Sequence, residues 1–204
     1  GDWDWADEQL TQVADADMDA ETGALASGGK LYIRLYRGEA GTEAIDEVAE
    51  TAGRFSDVDL LASAIDARGV ERYLHGDWAA AYPFQLQAAD TSLLNLAYIL
   101  PDAGRSAVLA GHRDVAESVV ERLRRHGVRG RAIGADIDVV RAGIRAVDGD
   151  RDGAMTGYRR AMGVYRELGL AWDEARLGFE AAKVLGTGDA EIDAWLERSR
   201  ATFE

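Results

Sequence analysis

Six glycines recur at near-even intervals along this 204-residue chain. The gaps between them are 37, 38, 35, 38 and 37 residues, and the glycines are Gly1, Gly38, Gly76, Gly111, Gly149 and Gly186. A period of this length indicates a repeat architecture, in which each unit stacks on its neighbours because it cannot bury its apolar face alone. This spacing constrains the fold more strongly than any other feature of the sequence.

The residues that follow the glycines repeat as well. An acidic residue comes directly after four of them, as Asp2, Glu39, Asp77 and Asp150. An alanine stands five residues after four of them, as Ala6, Ala81, Ala116 and Ala154. Glycine adopts a left-handed backbone at the least cost, and an acid is favoured at the positive end of a helix dipole. We therefore interpret each glycine as the end of one helix and the following acid as the start of the next.

Apolar periodicity between the glycines predicts about eleven helices. Their approximate ranges are 3–15, 20–37, 42–54, 57–75, 77–89, 92–110, 113–126, 129–148, 151–168, 171–185 and 189–203. The ninth has the clearest apolar stripe, which runs from Ala154 to Leu168. Pro83 predicts a kink or a break near Tyr82, because proline lacks a backbone donor and clashes with the preceding turn. Pro101 either has the same effect on the sixth helix or begins a new helix.

Composition and charge exclude several classes of function. The chain has no cysteine, so neither a disulfide nor a thiolate metal site can form. It carries a net charge of −14, and residues 1–68 hold 16 acidic against 5 basic residues, a net of −11. Such a surface argues against nucleic acid as a partner and is typical of solvated helices, although a basic partner is the alternative. No apolar stretch approaches the ~18 residues of a membrane span, and we expect a cytoplasmic location.

No motif with catalytic or cofactor chemistry is evident. Asp148, Asp150 and Asp152 have the spacing of a calcium loop, but Arg159 stands where the loop needs a bidentate acid, so a plain turn is favoured. Asp15, Asp17 and Asp19 form a weaker match. The chain also lacks the phosphate-binding loop and the nucleophile elbow. We therefore expect no enzyme activity, no cofactor and no metal.

The segment from Gly149 to Ala161 resembles the turn and second helix of a tetratricopeptide repeat, whose pattern is G-D/N-x-x-x-A-x-x-x-Y/F-x-x-A. The periods of 35 to 38 residues and the lack of a closing proline depart from the typical repeat. The resemblance implies an all-α solenoid of antiparallel helix pairs with a right-handed superhelix. It implies one repeat domain over 1–204, with a half repeat at 1–19 and repeats at about 20–56, 57–90, 91–128, 129–170 and 171–204.

The last 60 residues have a more specific likeness. Residues 146–169, 173–176, 184–186 and 199–203 are similar to the C-terminal repeat region of large bacterial signalling proteins. Those proteins join a class III nucleotide cyclase domain, or a DNA-binding domain, to an AAA-type ATPase module and a long run of repeats. The resemblance implies a regulatory interaction region of a longer protein, whose catalytic residues would lie upstream of this chain.

In tetratricopeptide arrays the first helix of each pair lines the concave groove. Counting back from each turn glycine gives the candidate groove residues Tyr32, Ser63, Asp66, Tyr73, Tyr98, Arg105, Asp136, Asp173, Arg176 and Glu180. Aromatic side chains beside charged ones suit the capture of a peptide. The alternative is that Tyr32, Tyr73 and Tyr98 only pack between repeats.

Three functions remain open. The first is a non-catalytic module that binds a protein or peptide partner, including domains of its own parent protein, and so transmits regulation. The second is a spacer or a homodimerisation module without a ligand. The third is a sensor of a small molecule in the channel of the superhelix.

Overall fold

The computed structural model describes residues 3–15, 20–93, 96–127 and 129–204. Within these ranges it contains eleven α-helices and no strand, which confirms the all-α class. The helices are α1 Trp3–Asp15, α2 Ala20–Tyr36, α3 Thr42–Phe55, α4 Val58–Leu74, α5 Trp78–Thr91, α6 Leu96–Leu109, α7 Arg113–His126, α8 Arg131–Val147, α9 Arg151–Leu168, α10 Ala171–Leu185 and α11 Ala190–Phe203. None of these helices is long and apolar enough to cross a membrane.

The chain forms two compact units, residues 1–100 and residues 101–204. In the first unit α1 packs against α2, and α4 packs against both α3 and α5. In the second unit α8 packs against α9, and α10 packs against α11. Helices thus pack in neighbouring pairs, as the repeat pattern predicts. The single repeat domain over 1–204, with its repeat boundaries, stays a prediction.

The recurrent glycines lie at the ends of helices and have positive φ angles. Their φ angles are 71° at Gly38, 77° at Gly76, 76° at Gly111, 85° at Gly149 and 80° at Gly186. Each one lies between the two helices of a pair, such as α4 and α5 or α8 and α9. The remaining member of the series, Gly1, lies outside the described residues. Residues other than glycine are disfavoured at such φ values. The glycines therefore recur in the sequence because the turn within each helix pair needs a residue with positive φ.

Acidic residues begin several of the helices. The carboxylate of Asp77 accepts a hydrogen bond from the backbone N–H of Ala80 at 3.2 Å, and Asp150 accepts one from Gly153 at 2.9 Å. These N-caps satisfy backbone donors that have no partner within the helix. Asp148, in the segment that resembles a calcium loop, pairs with Arg113 at 2.7 Å. Asp150 therefore caps α9, and Asp148 forms an ion pair with Arg113.

No group of three or more His, Asp or Glu side chains that could hold a metal occurs among the described residues. Asp17 and Asp19 of the weaker calcium-loop match lie outside those residues, and the side chain of Asp15 is not described.

The two prolines do not divide their helices. Helix α5 continues past Pro83 to Thr91, so the break that was one of the two predictions near Tyr82 does not occur, and the kink stays a prediction. Helix α6 continues past Pro101 to Leu109, and no new helix begins there. A proline inside a helix costs about 3 kcal/mol. Burial of the residues around it offsets this cost, since Leu100 and Ala103 are fully buried beside Pro101.

The core of the second unit is built around the apolar stripe of α9. Ala154, Tyr158, Met162 and Tyr165 of that stripe are buried against α8, α10 and α11. Its predicted last member, Leu168, is 37% exposed, because α9 ends there and the chain turns away at Gly169. The stripe is important for the site described below, since it places the hydroxyl group of Tyr165 among charged side chains from other helices.

Candidate functional site

The second unit brings together five of the ten predicted groove residues. Arg105 comes from α6, Asp136 from α8, and Asp173, Arg176 and Glu180 come from α10. Three of the five are almost fully buried, with exposed fractions of 2% for Arg105, 7% for Arg176 and 3% for Glu180. Together with two residues that the sequence analysis missed, they form a group that we call the charged cluster, made of Asp102, Arg105, Asp136, Tyr165, Asp173, Arg176 and Glu180.

Arg105 lies at the centre of the charged cluster. Its Nη1 donates to Glu180 Oε2 at 2.9 Å, and its Nη2 donates to Tyr165 Oη at 2.6 Å and to Asp136 Oδ1 at 3.2 Å. The Tyr165 hydroxyl in turn donates to Asp136. Burial alone would lower the pKa of Arg105, but the carboxylate of Glu180 and the other partners raise it well above its ordinary value. The guanidinium is therefore a fixed positive charge.

Arg176 completes the cluster from α10. Its Nε donates to Glu180 Oε1 at 3.0 Å, and its Nη1 donates to Asp102 Oδ1 at 2.8 Å. Each oxygen of Glu180 thus accepts from a different arginine. Because Arg105 and Asp102 belong to α6, these bonds connect α6 to α10, about 75 residues apart in sequence. Buried ionic groups need this kind of mutual satisfaction, since an unpaired buried charge is very costly.

The two buried tyrosines near the cluster are held in their neutral form. Burial raises the pKa of Tyr158 above its ordinary range, and it does the same for Tyr165, with Asp136 adding to the effect on Tyr165. Neither phenol therefore gives a phenolate near neutral pH. The arrangement pairs charges between helices. The hydroxyl group of Tyr165 accepts a hydrogen bond from Arg105 and donates one to Asp136.

Asp173 carries excess negative charge at the edge of the cluster. The cluster holds four carboxyl groups and two guanidinium groups, and half-buried Asp173 makes no ion pair with any described residue. Burial raises the pKa of Asp173 above its ordinary value. The guanidinium of Arg105 opposes this effect, while the carboxylate of Asp136 adds to it. Ionised Asp173 is thus less favourable in the folded chain than in the unfolded one.

We expect Asp173→Asn to raise the free energy of unfolding at pH 7. Between the ordinary pKa of the carboxyl and its raised value, the folded state binds more protons than the unfolded state, so stability falls as pH rises through that interval. Asparagine cannot ionise, so the gain should be largest above the raised pKa and should vanish at pH values below the ordinary one. Urea denaturation at several pH values measures this difference.

The control for this prediction is Glu197→Gln, which changes a carboxyl group whose side chain is 77% exposed. It should alter the pH dependence of stability much less than Asp173→Asn. A lower stability of Asp173→Asn at pH 7 would contradict the prediction, because it would mean that ionised Asp173 supports the fold.

In the first unit the predicted residues make inter-helix contacts. The hydroxyl group of Tyr32 on α2 lies 2.8 Å from Asp66 Oδ2 and 3.0 Å from the carbonyl oxygen of Ser63, both on α4. A single hydroxyl proton is shared between these acceptors. Tyr73 is 9% exposed and belongs to the core. These contacts favour the packing interpretation of Tyr32 and Tyr73, and binding by either residue stays a prediction.

Tyr98 differs from the other nine candidates because it is 77% exposed. Tyr32, Ser63, Asp136 and Asp173 are half-buried, while Asp66, Tyr73, Arg105, Arg176 and Glu180 are buried. A large aromatic ring at a helix surface is the kind of side chain that anchors a binding partner. Tyr98 is therefore the candidate that a partner can reach without any change in the helices.

Asp102 and Tyr165 were missed as site residues for different reasons. Asp102 stands three residues before Arg105, a spacing that places both on one helix face, so its participation could have been recognised from the sequence. Tyr165 was assigned to the apolar stripe of α9. Its ring does pack in the core, and only the fold shows that its hydroxyl group reaches Arg105.

In comparisons with known proteins, the chain matches no family model, no curated protein and no solved structure.

Proposed function

We propose that this chain is a non-catalytic interaction module of the tetratricopeptide type, which binds a protein segment and so transmits regulation within a bacterial signalling protein of the cytoplasm. The observation that carries the proposal is the helix pair that closes at a left-handed glycine and recurs along the chain. Arrays of such pairs expose long helical surfaces, and their usual role is to bind other proteins.

The state of the buried ionisable groups supports a non-catalytic role. Catalytic acids and bases need pKa values near the working pH and access to a substrate. In the charged cluster, by contrast, Arg105, Arg176 and Glu180 are buried, and Glu180 pairs with both arginines. These ion pairs connect α6 to α10. We infer that any catalytic residues belong to other domains of the parent protein.

The proposed contact residue is Tyr98 on α6, and the proposed partner is a segment of the parent protein's own catalytic domains. An exposed aromatic side chain combines a large apolar surface with a hydroxyl group and loses little conformational freedom on binding. Leu93, five residues earlier in the chain, is 74% exposed and adds apolar surface. The exposed apolar surface of Leu93 and Tyr98 makes this part of the first unit the proposed contact surface.

Photo-crosslinking in the full-length parent protein tests the proposal. A benzophenone amino acid at position 98 should crosslink to one defined segment of the catalytic domains, and Tyr98→Ala should weaken binding of the isolated segment by about tenfold. Val58→Ala is the control, because Val58 is an apolar side chain on α4 of the same unit that is 58% exposed. It should leave the affinity within about twofold.

Two results would contradict the proposal. If position 98 gives no defined crosslink, or if Val58→Ala weakens binding as much as Tyr98→Ala, Tyr98 is not the anchor. A mass that rises with protein concentration, with crosslinks only between copies of the chain, would instead support the homodimerisation module.

A further inference from the structure

An arginine-lined cavity of about 720 Å³ lies between α7, α8 and α9 of the second unit. Arg124 of α7, Arg141 and Arg145 of α8, and Arg160 of α9 line it. An adjoining depression of about 410 Å³ shares Arg124, Arg141 and Arg160 and adds Arg131. Five guanidinium groups thus line these two adjoining spaces in a chain whose net charge is −14.

Three acidic side chains also line this cavity. Each has an arginine partner: Glu117 pairs with Arg113 at 2.9 Å, Glu121 with Arg125 at 3.7 Å, and Asp138 with Arg160 at 3.1 Å. Two of these partners, Arg113 and Arg125, lie outside the lining. The lining thus holds four arginines against three acids.

Three of the lining arginines lack a carboxylate partner among the described residues. Arg124 and Arg141 make no ion pair or hydrogen bond there, and Arg145 donates only to the carbonyl oxygen of Gly153 at 3.2 Å. All three side chains are exposed to the solvent of the cavity. Guanidinium groups bind phosphate and carboxylate oxygens through paired hydrogen bonds, so three unmatched ones around one space form a strong attraction for an anion.

We propose that the arginine-lined cavity binds a small multivalent anion that carries phosphate or carboxylate groups. Its volume falls within the roughly 300–1,000 Å³ of small-molecule sites, and its walls are helices rather than loops. Val120, Ala142 and Ile144 supply apolar surface beside the arginines. The acidic surface elsewhere on the chain disfavours a long polyanion such as nucleic acid. The inference goes beyond the proposed function, because binding of a protein segment at Tyr98 does not need this cavity.

Titration calorimetry of the purified chain with inorganic tripolyphosphate and with citrate, at low salt, tests the proposal. At least one of the two should bind saturably with one site per chain. Arg124→Gln and Arg141→Gln should each weaken that binding by about tenfold, since each removes charge-assisted hydrogen bonds. Arg200→Gln is the control, with the same change of charge on α11 at a side chain that is 64% exposed. It should leave the affinity within about twofold.

The outcomes separate the sources of the anion. Binding of tripolyphosphate alone would identify a phosphate ligand, and binding of citrate alone would identify a carboxylate ligand. The proposal fails if neither binds, if Arg200→Gln weakens binding as much as Arg141→Gln, or if only an acidic peptide such as hexaglutamate binds. Thermal melts show whether each variant is folded. The titration needs only this chain and no parent protein, so its result is independent of the crosslinking test for Tyr98.

Discussion

Replacement of Arg105 by methionine should lower the free energy of unfolding by about 3–5 kcal/mol, the cost of removing one partner from a buried ion pair. Methionine keeps much of the side-chain volume but removes the guanidinium that Glu180 and Asp136 share, so Glu180 loses one arginine and keeps Arg176. Glu180 has a side chain that is only 4% exposed, so water cannot compensate for the loss. Urea denaturation followed by circular dichroism measures the change, and unequal transitions of the two units would be visible in the same curve.

A matched control is Arg113→Met, which breaks ion pairs at the surface. Arg113 contacts Asp148 and Glu117, and its side chain is 41% exposed. Surface pairs contribute little, so this variant should unfold at nearly the same urea concentration as the natural chain. The double variant Arg105→Met with Glu180→Gln should recover part of the loss, because it removes a buried carboxylate that has lost one of the arginines paired with it. Equal destabilisation by Arg105→Met and Arg113→Met would show that the charged cluster is not a buried ionic contact.

The second large effect is expected at Gly143, in the interior of α8. A β-carbon at this position would lie 2.9 Å from Cγ2 of Val108, and it would approach Cγ1 even more closely. Valine is stiff because two carbons branch from its β-carbon, so it cannot turn away. Gly143→Ala should therefore destabilise the second unit by about 1–3 kcal/mol through overpacking, even though alanine is the better helix former by about 1 kcal/mol. Denaturation curves of this variant measure the balance of the two effects.

Gly163→Ala is the control, because it makes the same substitution inside α9 at a place with open space. No atom lies within 4 Å of the β-carbon that would be added at Gly163. Only the gain in helix propensity remains there, so stability should rise by about 0.5–1 kcal/mol. The two substitutions are thus expected to have opposite signs. A gain at both positions would mean that α8 can move away from Val108 at little cost.

Local preferences made much of the helical architecture predictable. The ranges 113–126, 151–168 and 171–185 were predicted from the sequence with the bounds that the structure has. Their ends depend on short-range effects, such as the left-handed backbone at Gly149 and the N-cap of Asp150, which involve residues only a few positions apart. Such effects can be recognised in one sequence because they act within a single turn.

The environment of each side chain depended on contacts that the sequence does not reveal. The groove count selected Arg105 and Tyr98 alike, yet the structure buries Arg105 beside Glu180 and leaves Tyr98 exposed. Pro83 predicted a kink or a break by the local rule, and α5 continues without a break. Each difference arises because burial is decided by helices distant in sequence.

The sequence by itself determined the repeat of helix, left-handed glycine and capped helix, since backbone conformation and hydrogen bonding within a turn require particular residues at particular spacings. Only the tertiary structure decided which charges are neutralised. It placed Arg105 among carboxylates from α8 and α10, and it left Arg124 and Arg141 facing an open cavity with no such partner in the part of the chain that the structure describes. The physical reason is that a helical sequence pattern does not distinguish one arginine from another. The electrostatic environment of each arginine is set by the charges that folding brings within a few ångströms of it.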